Sequence, residues 1–199
     1  MSIHAVVLGG AGYVGGELLR LIDAHPVFRL AAAASSTFAE KPVADVFPHL
    51  GHSCAGMSFV PPGDWSREIP AGSDVALFSA APHGASAGAI AEALRAAKNA
   101  NLNVHVVDAS ADFRFDNAAA FTSVYGIEHP APQLLEDFTS GVPEHVESSN
   151  TLHACQPGCF ATAALLAAVP LVDSGVTAGD LFLSGVTGST GSGRSVKPG

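Results

Sequence analysis

The chain has 199 residues, of which 48% are hydrophobic and only 14% charged; that supplies a core for one generous domain, and no apolar run is long enough to cross a bilayer. A formal net charge of −9, with nine Lys and Arg scattered along the chain, lacks the basic stripe of a nucleic-acid binder. Three cysteines at irregular spacing make no secreted disulfide framework, and the opening MSIHAVVLGG has no basic n-region, so the expectation is a soluble, cytoplasmic protein with free thiols. In chain order, residues 5–8 read as an apolar strand, followed by a glycine-rich turn and a helix over about 14–24 with Leu18, Leu19 and Ile22 on one face. Further strands are predicted at 30–34, 75–79 and 104–108, with an alanine-rich helix over about 86–97 before the last. Strands alternating with helices predict an α/β fold, a Rossmann-like doubly wound and mostly parallel sheet. Residues 38–70, richer in Pro, Gly and Ser, read largely as loop with one short strand near 58–60, and residues 116–149 read as excursions over the surface. A helix beginning near Cys159, a strand over 181–186 and the segment TGSTGSGRSVKPG close the chain; that segment reads as a disordered tail or as a ligand loop.

The turn Gly9-Gly10-Ala11-Gly12-Tyr13-Val14-Gly15 contains both G-x-x-G-x-x-G and G-x-G-x-x-G. Between a strand and an amphipathic helix, this pattern lets the backbone and the helix's free N–H groups approach a pyrophosphate. The plain alternative is a tight strand-to-helix turn. After the second strand stand Ser35, Ser36 and Thr37, with Lys41 nearby and no acid before Glu40. Hydroxyls and a cation suit a 2′-phosphate, so NADP is the expected cofactor rather than NAD; an ordinary polar turn is the competing reading.

Cys159 follows Pro157-Gly158 and opens the helix-favouring run 160–168. A thiol must ionise to act as a nucleophile, and a helix N-terminus is among the places that promote it. A buried cysteine is otherwise a small core hydrophobe, the reading given to Cys155 in a strand, while Cys54 reads as structural or incidental. His153 is expected to face solvent or a neighbouring strand. Its spacing to the cysteines matches no common zinc pattern, so no metal is expected. A hydride donor beside a cysteine nucleophile implies aldehyde or acyl chemistry. An acid-base group is also needed, and none of the nine histidines is singled out for it.

LGGAGYVGGELLRLIDAHP, FSAAPHG, VVDASADFRF, VYG, GVPE, QPGCFATAALLA and GVTGSTGSGR, in that order, together resemble the N-acetyl-gamma-glutamyl-phosphate reductases of arginine biosynthesis. The resemblance implies that Cys159 attacks a small-molecule acyl phosphate, that NADPH reduces the resulting thioester, and that the full-length protein is a homo-oligomer. It also implies that Pro82 and His83 lie near the nicotinamide, and that Ser110, Arg114, Ser189 and Arg194 help to form the substrate pocket. Family members are longer, so residues 1–155 would be the dinucleotide-binding domain and 156–199 the start of a second, α+β catalytic domain whose later part carries the acid-base histidine. A second departure is Gln156, where the family commonly has Asn. The alternatives are a related reductase acting on aspartyl phosphate or on carrier-linked aminoadipyl phosphate, and a non-catalytic NADP-binding module.

Overall fold

A computed structural model describes residues 2–146, 151–177 and 179–193. The chain runs β1 (Ile3–Leu8), α1 (Tyr13–Asp23), β2 (Phe28–Ala34), α2 (Val43–Val46), β3 (Asp74–Ser79), α3 (Ser86–Asn99), β4 (Asn103–Asp108), α4 (Ala118–Tyr125), β5 (Phe138–Ser140), β6 (His153–Cys155) and α5 (Cys159–Asp173). The strands form one sheet in the order β2-β1-β3-β4-β6-β5, and every pairing is parallel. Register decides what this sheet can do. Leu8 lies opposite Ala34 and Ser79, Ser79 opposite Asp108, and Cys155 opposite Asp108 and Ser140. All six strands therefore end on one edge, and the loops that carry the candidate chemistry leave from that edge.

β1 is buried on both faces, as a central strand of a covered parallel sheet must be. Its Ala5 and Val7 join α1 residues Leu19 and Ile22, with Phe47 and Phe59, in a cluster on one side; Val6 and Leu8 join Leu77, Val106 and the Ile90 and Ala93 of α3 on the other. Side chains of this size contribute about 1.5–3 kcal/mol each when fully buried. α1 buries Gly15, Gly16, Leu19 and Ile22, the i, i+3/i+4, i+7 stripe its sequence contains. Gly16 has no room for a side chain, because a Cβ there would lie 2.5 Å from the Phe47 ring. That contact sets how closely α1 approaches the 38–70 segment.

Residues 38–70 are largely turn and loop, as expected, with only α2 and a 3-10 turn at Pro48–Leu50, yet the segment buries Phe47, Leu50, Cys54, Phe59, Trp65 and Ile69. Three expectations need correction. The strand near 58–60 is reduced to single bridges, Ala34 to Val60 and Pro42 to Ser58. Residues 116–146, expected to run over the surface, hold α4, a 3-10 turn that Pro132 opens, and β5, with Phe121, Ala131 and Val142 buried. The segment 181–186 forms no strand. A strand needs a ladder partner, none pairs with it among the described residues, and Phe182 and Val186 are 96% and 98% exposed.

Candidate functional site

The glycine turn leaves β1 at the point where the sheet order reverses, with β2 on one side of β1 and β3 on the other. That reversal is where doubly wound sheets open a ligand crevice. Gly9 has φ +69, and a Cβ there would sit 2.7 Å from the Ala80 carbonyl, so backbone packs directly on backbone. Gly15 allows α1 to start against the turn, since its Cβ would come within 2.6 Å of the Gly9 and Gly10 carbonyl oxygens. At Gly12 the nearest atom to an added methyl would be the Gly9 oxygen at 3.5 Å. A side chain at position 12 is therefore excluded by no packing demand, and its absence keeps the space before α1 clear. Gly12 is also the N-cap of α1, with no side-chain cap and no acid in the first turn.

A cavity of about 510 Å³ opens here, lined by Gly9, Ala11 and Gly12, by Ser35, Ser36, Thr37 and Phe38 after β2, by Pro62, Gly63 and Trp65, and by Ala80 to Pro82 after β3. Ser35 is buried and its hydroxyl accepts the Phe38 N–H at 3.1 Å, while Ser36 and Thr37 are exposed. The Lys41 ammonium lies 5.2 Å from the centre of the Phe38 ring, close to the same wall. The one carboxylate in the lining, Glu92, comes from α3 and not from the end of β2. Trp65 is 2% exposed and also lines a second cavity of about 710 Å³; its indole N–H has no acceptor among the described residues. A glycine cradle without side chains, a row of hydroxyls and an orphaned donor fit a dinucleotide.

Next along the edge, two loops are clamped together. The fully buried Asp112 carboxylate accepts the Gly84 N–H at 2.7 Å and the Ala87 N–H at 2.9 Å, so a residue from the loop after β4 satisfies the start of α3. His83 Nδ1 accepts the Ala111 N–H at 2.9 Å, which leaves the proton of the neutral ring on Nε2. Beneath them the Asp108 carboxylate accepts the hydroxyls of Ser86 at 2.7 Å and Ser110 at 2.6 Å. Burial pushes the Asp108 carboxyl above its ordinary range, those hydrogen bonds oppose the shift, and Asp112 adds to it.

At the end of β6, Cys155 is buried and its thiol donates to the Phe113 carbonyl; burial pushes that thiol up to about 11. Cys54 is also buried, and desolvation with the Asp23 charge raises its thiol as well. Cys159 differs from both: it is exposed and is the first residue of α5, preceded by Gly158 with φ +111. A Cβ on Gly158 would lie 3.1 Å from Nη1 of Arg114, so the guanidinium sits against the turn that presents the thiol. Arg114 Nε donates to the Gln156 carbonyl at 2.9 Å, and Arg114 makes no ion pair with a described residue.

The structure thus brings Gly9, Ala11, Gly12, Ser35, Ser36 and Pro82 to one cavity. Gly10 and Gly15 are spent on packing, and the side chains of Tyr13 and Val14 are exposed on the first turn of α1. His83 stands on the adjoining loop. Ser110 is 1% exposed, with its hydroxyl donating to Asp108 and accepting the Asp112 N–H, so it organises the loop from within. Ser189 is exposed and opens a 3-10 turn, Ser189–Ser192, and Arg194 lies outside the described residues. His153 faces the neighbouring strand: it is buried and its Nδ1 accepts the Val106 N–H at 3.2 Å. Reasoning from sequence missed Trp65, Pro62, Gly63 and the clamp made by Asp112. The signal for the clamp was two acids, Asp108 and Asp112, inside an otherwise apolar and serine-bearing run. Among the described residues no group of three or more His, Cys, Asp or Glu side chains gathers as a metal site, and no helix is long and apolar enough to cross a membrane.

Fold and site together define an α/β dinucleotide-binding domain whose strand edge also carries an exposed cysteine. More narrowly, residues 4–151 match the family described as semialdehyde dehydrogenase, NAD binding domain, and the chain belongs to that family. It is 38% identical to the N-acetyl-gamma-glutamyl-phosphate reductase of Acidothermus cellulolyticus, over 100% of this chain and 54% of that protein. It is 36% identical to the LysW-L-2-aminoadipate/LysW-L-glutamate phosphate reductase of Saccharolobus solfataricus, over 93% of this chain and 50% of that protein. The chain spans about half the length of these curated relatives. Among solved structures, aspartate semialdehyde dehydrogenase with NADP from Candida albicans superposes with a TM-score of 0.56 at 18% identity, over 86% of this chain and 47% of the other, which is a likeness of fold.

Proposed function

We propose that the chain binds NADP(H) and takes part in reducing an acyl phosphate to a semialdehyde and phosphate through a thioester on Cys159, with N-acetyl-gamma-glutamyl phosphate as substrate. The observation that carries this reading is the single edge on which the glycine-turn cavity and the exposed Cys159 both lie, beside an Arg114 that has no carboxylate partner among the described residues. Gly9 and Gly12 would admit the pyrophosphate, Ser35 and Ser36 the 2′-phosphate side, and Pro82 and His83 the nicotinamide side. The reduced nicotinamide, when bound, supplies hydride. Cys159 would attack the acyl carbon as thiolate; the carbon–oxygen bond to phosphate breaks and phosphate leaves. Arg114 would pair with an anionic oxygen of the substrate, since a guanidinium matches phosphate and carboxylate geometry. Ser110 acts indirectly by holding the loop that bears Arg114; Ser189 and Arg194 would close the substrate side. The reading places the protein among cytoplasmic amino-acid biosynthetic enzymes that act as homo-oligomers.

A second substrate reading is favoured by the similarity to the LysW-linked reductase, a carrier-linked aminoadipyl phosphate. The test uses the protein that carries this chain at the length of its relatives, and its Cys159→Ser variant, with NADP binding followed by calorimetry and NADPH consumption measured with each acyl phosphate. Binding in both proteins, with turnover of N-acetyl-gamma-glutamyl phosphate in the parent alone, is the expected result. Absence of NADP binding to the parent chain sinks the reading; turnover of the carrier-linked substrate alone moves it to the second one.

A further inference from the structure

Gln156 sits two residues before the cap of α5, and each of its polar groups is engaged. Its N–H donates to the Asp108 carbonyl at 2.8 Å, tying it to the end of β4, and its carbonyl accepts Arg114 Nε at 2.9 Å. Its side-chain Oε1 accepts the Gly158 N–H at 2.6 Å, and its Nε2 donates to Thr162 Oγ1 at 2.5 Å. The orientation of the carboxamide is forced: a backbone N–H can only donate, so the oxygen must face Gly158 and the nitrogen Thr162. The side chain therefore bridges from before the helix into its first turn, and Cys159 lies inside the bridge. The same residue holds Arg114 through its main chain, so one residue joins the thiol to the guanidinium. An Asn at this position is one methylene shorter and spans less of that distance.

We propose that Gln156 is a positioning residue, whose carboxamide bridge to Gly158 and Thr162 keeps Cys159 and Arg114 converged as a receiver for an anionic acyl donor. This rests on the reading of Cys159 as the nucleophile. Nothing in Gln156 touches the reacting atoms; it acts through the turn and through Arg114.

The test compares alkylation of Cys159 in the full chain by iodoacetate, an anion, and by iodoacetamide, its neutral analogue, read by mass spectrometry. The quantity of interest is the ratio of the two rates, normalised to the same cysteine in the urea-unfolded chain. Simple loosening of the helix changes both rates together, whereas loss of convergence lowers the ratio. The expected result is a raised ratio in the parent, a drop of about five-fold in Gln156→Ala, and an intermediate value in Gln156→Asn, as the loss of one or two hydrogen bonds predicts. Thr162→Val is expected to lower the ratio and Thr162→Ser, which keeps the hydroxyl, to preserve it; this pair decides the matter should Gln156→Ala fail to fold. A parent ratio equal to that of the unfolded chain overturns the nucleophile reading and the positioning role together. A raised parent ratio that Gln156→Ala or Thr162→Val leaves unchanged overturns the positioning role alone.

Discussion

The turn at residues 9–12 is held by backbone packed on backbone, with Gly9 against the Ala80 carbonyl and Gly15 against Gly9 and Gly10, whereas the turn at 156–158 is held by side chains, Gln156 and Arg114. Their surroundings differ in the same sense. α1 buries four residues in the core, while α5 buries none and exposes Phe160, Leu166, Leu171 and Val172. A turn made of backbone is rigid without any particular side chain but tolerates no added Cβ. A turn made of side chains can be retuned one group at a time.

The two turns should accordingly break independently. Gly9→Ala forces a Cβ into the Ala80 carbonyl at positive φ, and its expected cost is about 2–3 kcal/mol of stability with loss of NADP binding. Urea unfolding and calorimetry measure both, and the alkylation ratio at Cys159 should survive. Unchanged NADP affinity in Gly9→Ala would show that the first turn is not the pyrophosphate seat.

A smaller effect is expected beneath the second turn. Burial pushes the His153 imidazole below its ordinary value, and its neutral Nδ1 accepts the Val106 N–H. Because folding favours the neutral ring, the stability it contributes is present above the unfolded value of about 6.5 and is lost as the pH falls through the lower folded value. Urea midpoints at pH 7.5 and 5.5 should differ more for the parent than for His153→Asn, by less than about 1 kcal/mol. Equal pH dependence in the two proteins removes His153 from the account. Smallest of all, Ser36→Ala should weaken NADP about two- to three-fold and leave NAD unchanged, the loss of one exposed hydrogen bond. An equal loss for both dinucleotides would place the 2′-phosphate elsewhere.

What the sequence disclosed follows the range of the interactions involved. The glycine turn, α1, α3 and the start of α5 at Cys159 are local patterns, periodic or punctuated by glycine, and they were legible. The all-parallel sheet followed from the alternation of its segments. Trp65 and Phe59 were not legible as core, because Pro, Gly and Ser around them suggest loop, and their burial is decided by contacts with β2 and α3 far away in the chain. Asp112 was hidden for the same reason: its partners, Gly84 and Ala87, stand 28 and 25 residues earlier. The segment 181–186 misled in the opposite direction, since apolar β-formers announce a strand whether or not a neighbouring edge accepts them.

Trp65 carries one more consequence. It is the chain's only tryptophan, enclosed between two cavities with its N–H unmet by any described residue. Fluorescence of this chain excited at the red edge, where tyrosine does not absorb, therefore arises at a single indole in the wall of the proposed dinucleotide site. A ligand that gives that N–H an acceptor changes its spectrum, and a bound reduced nicotinamide, which absorbs where tryptophan emits, quenches it. The chain contains its own fluorophore for counting occupied sites, with no label needed.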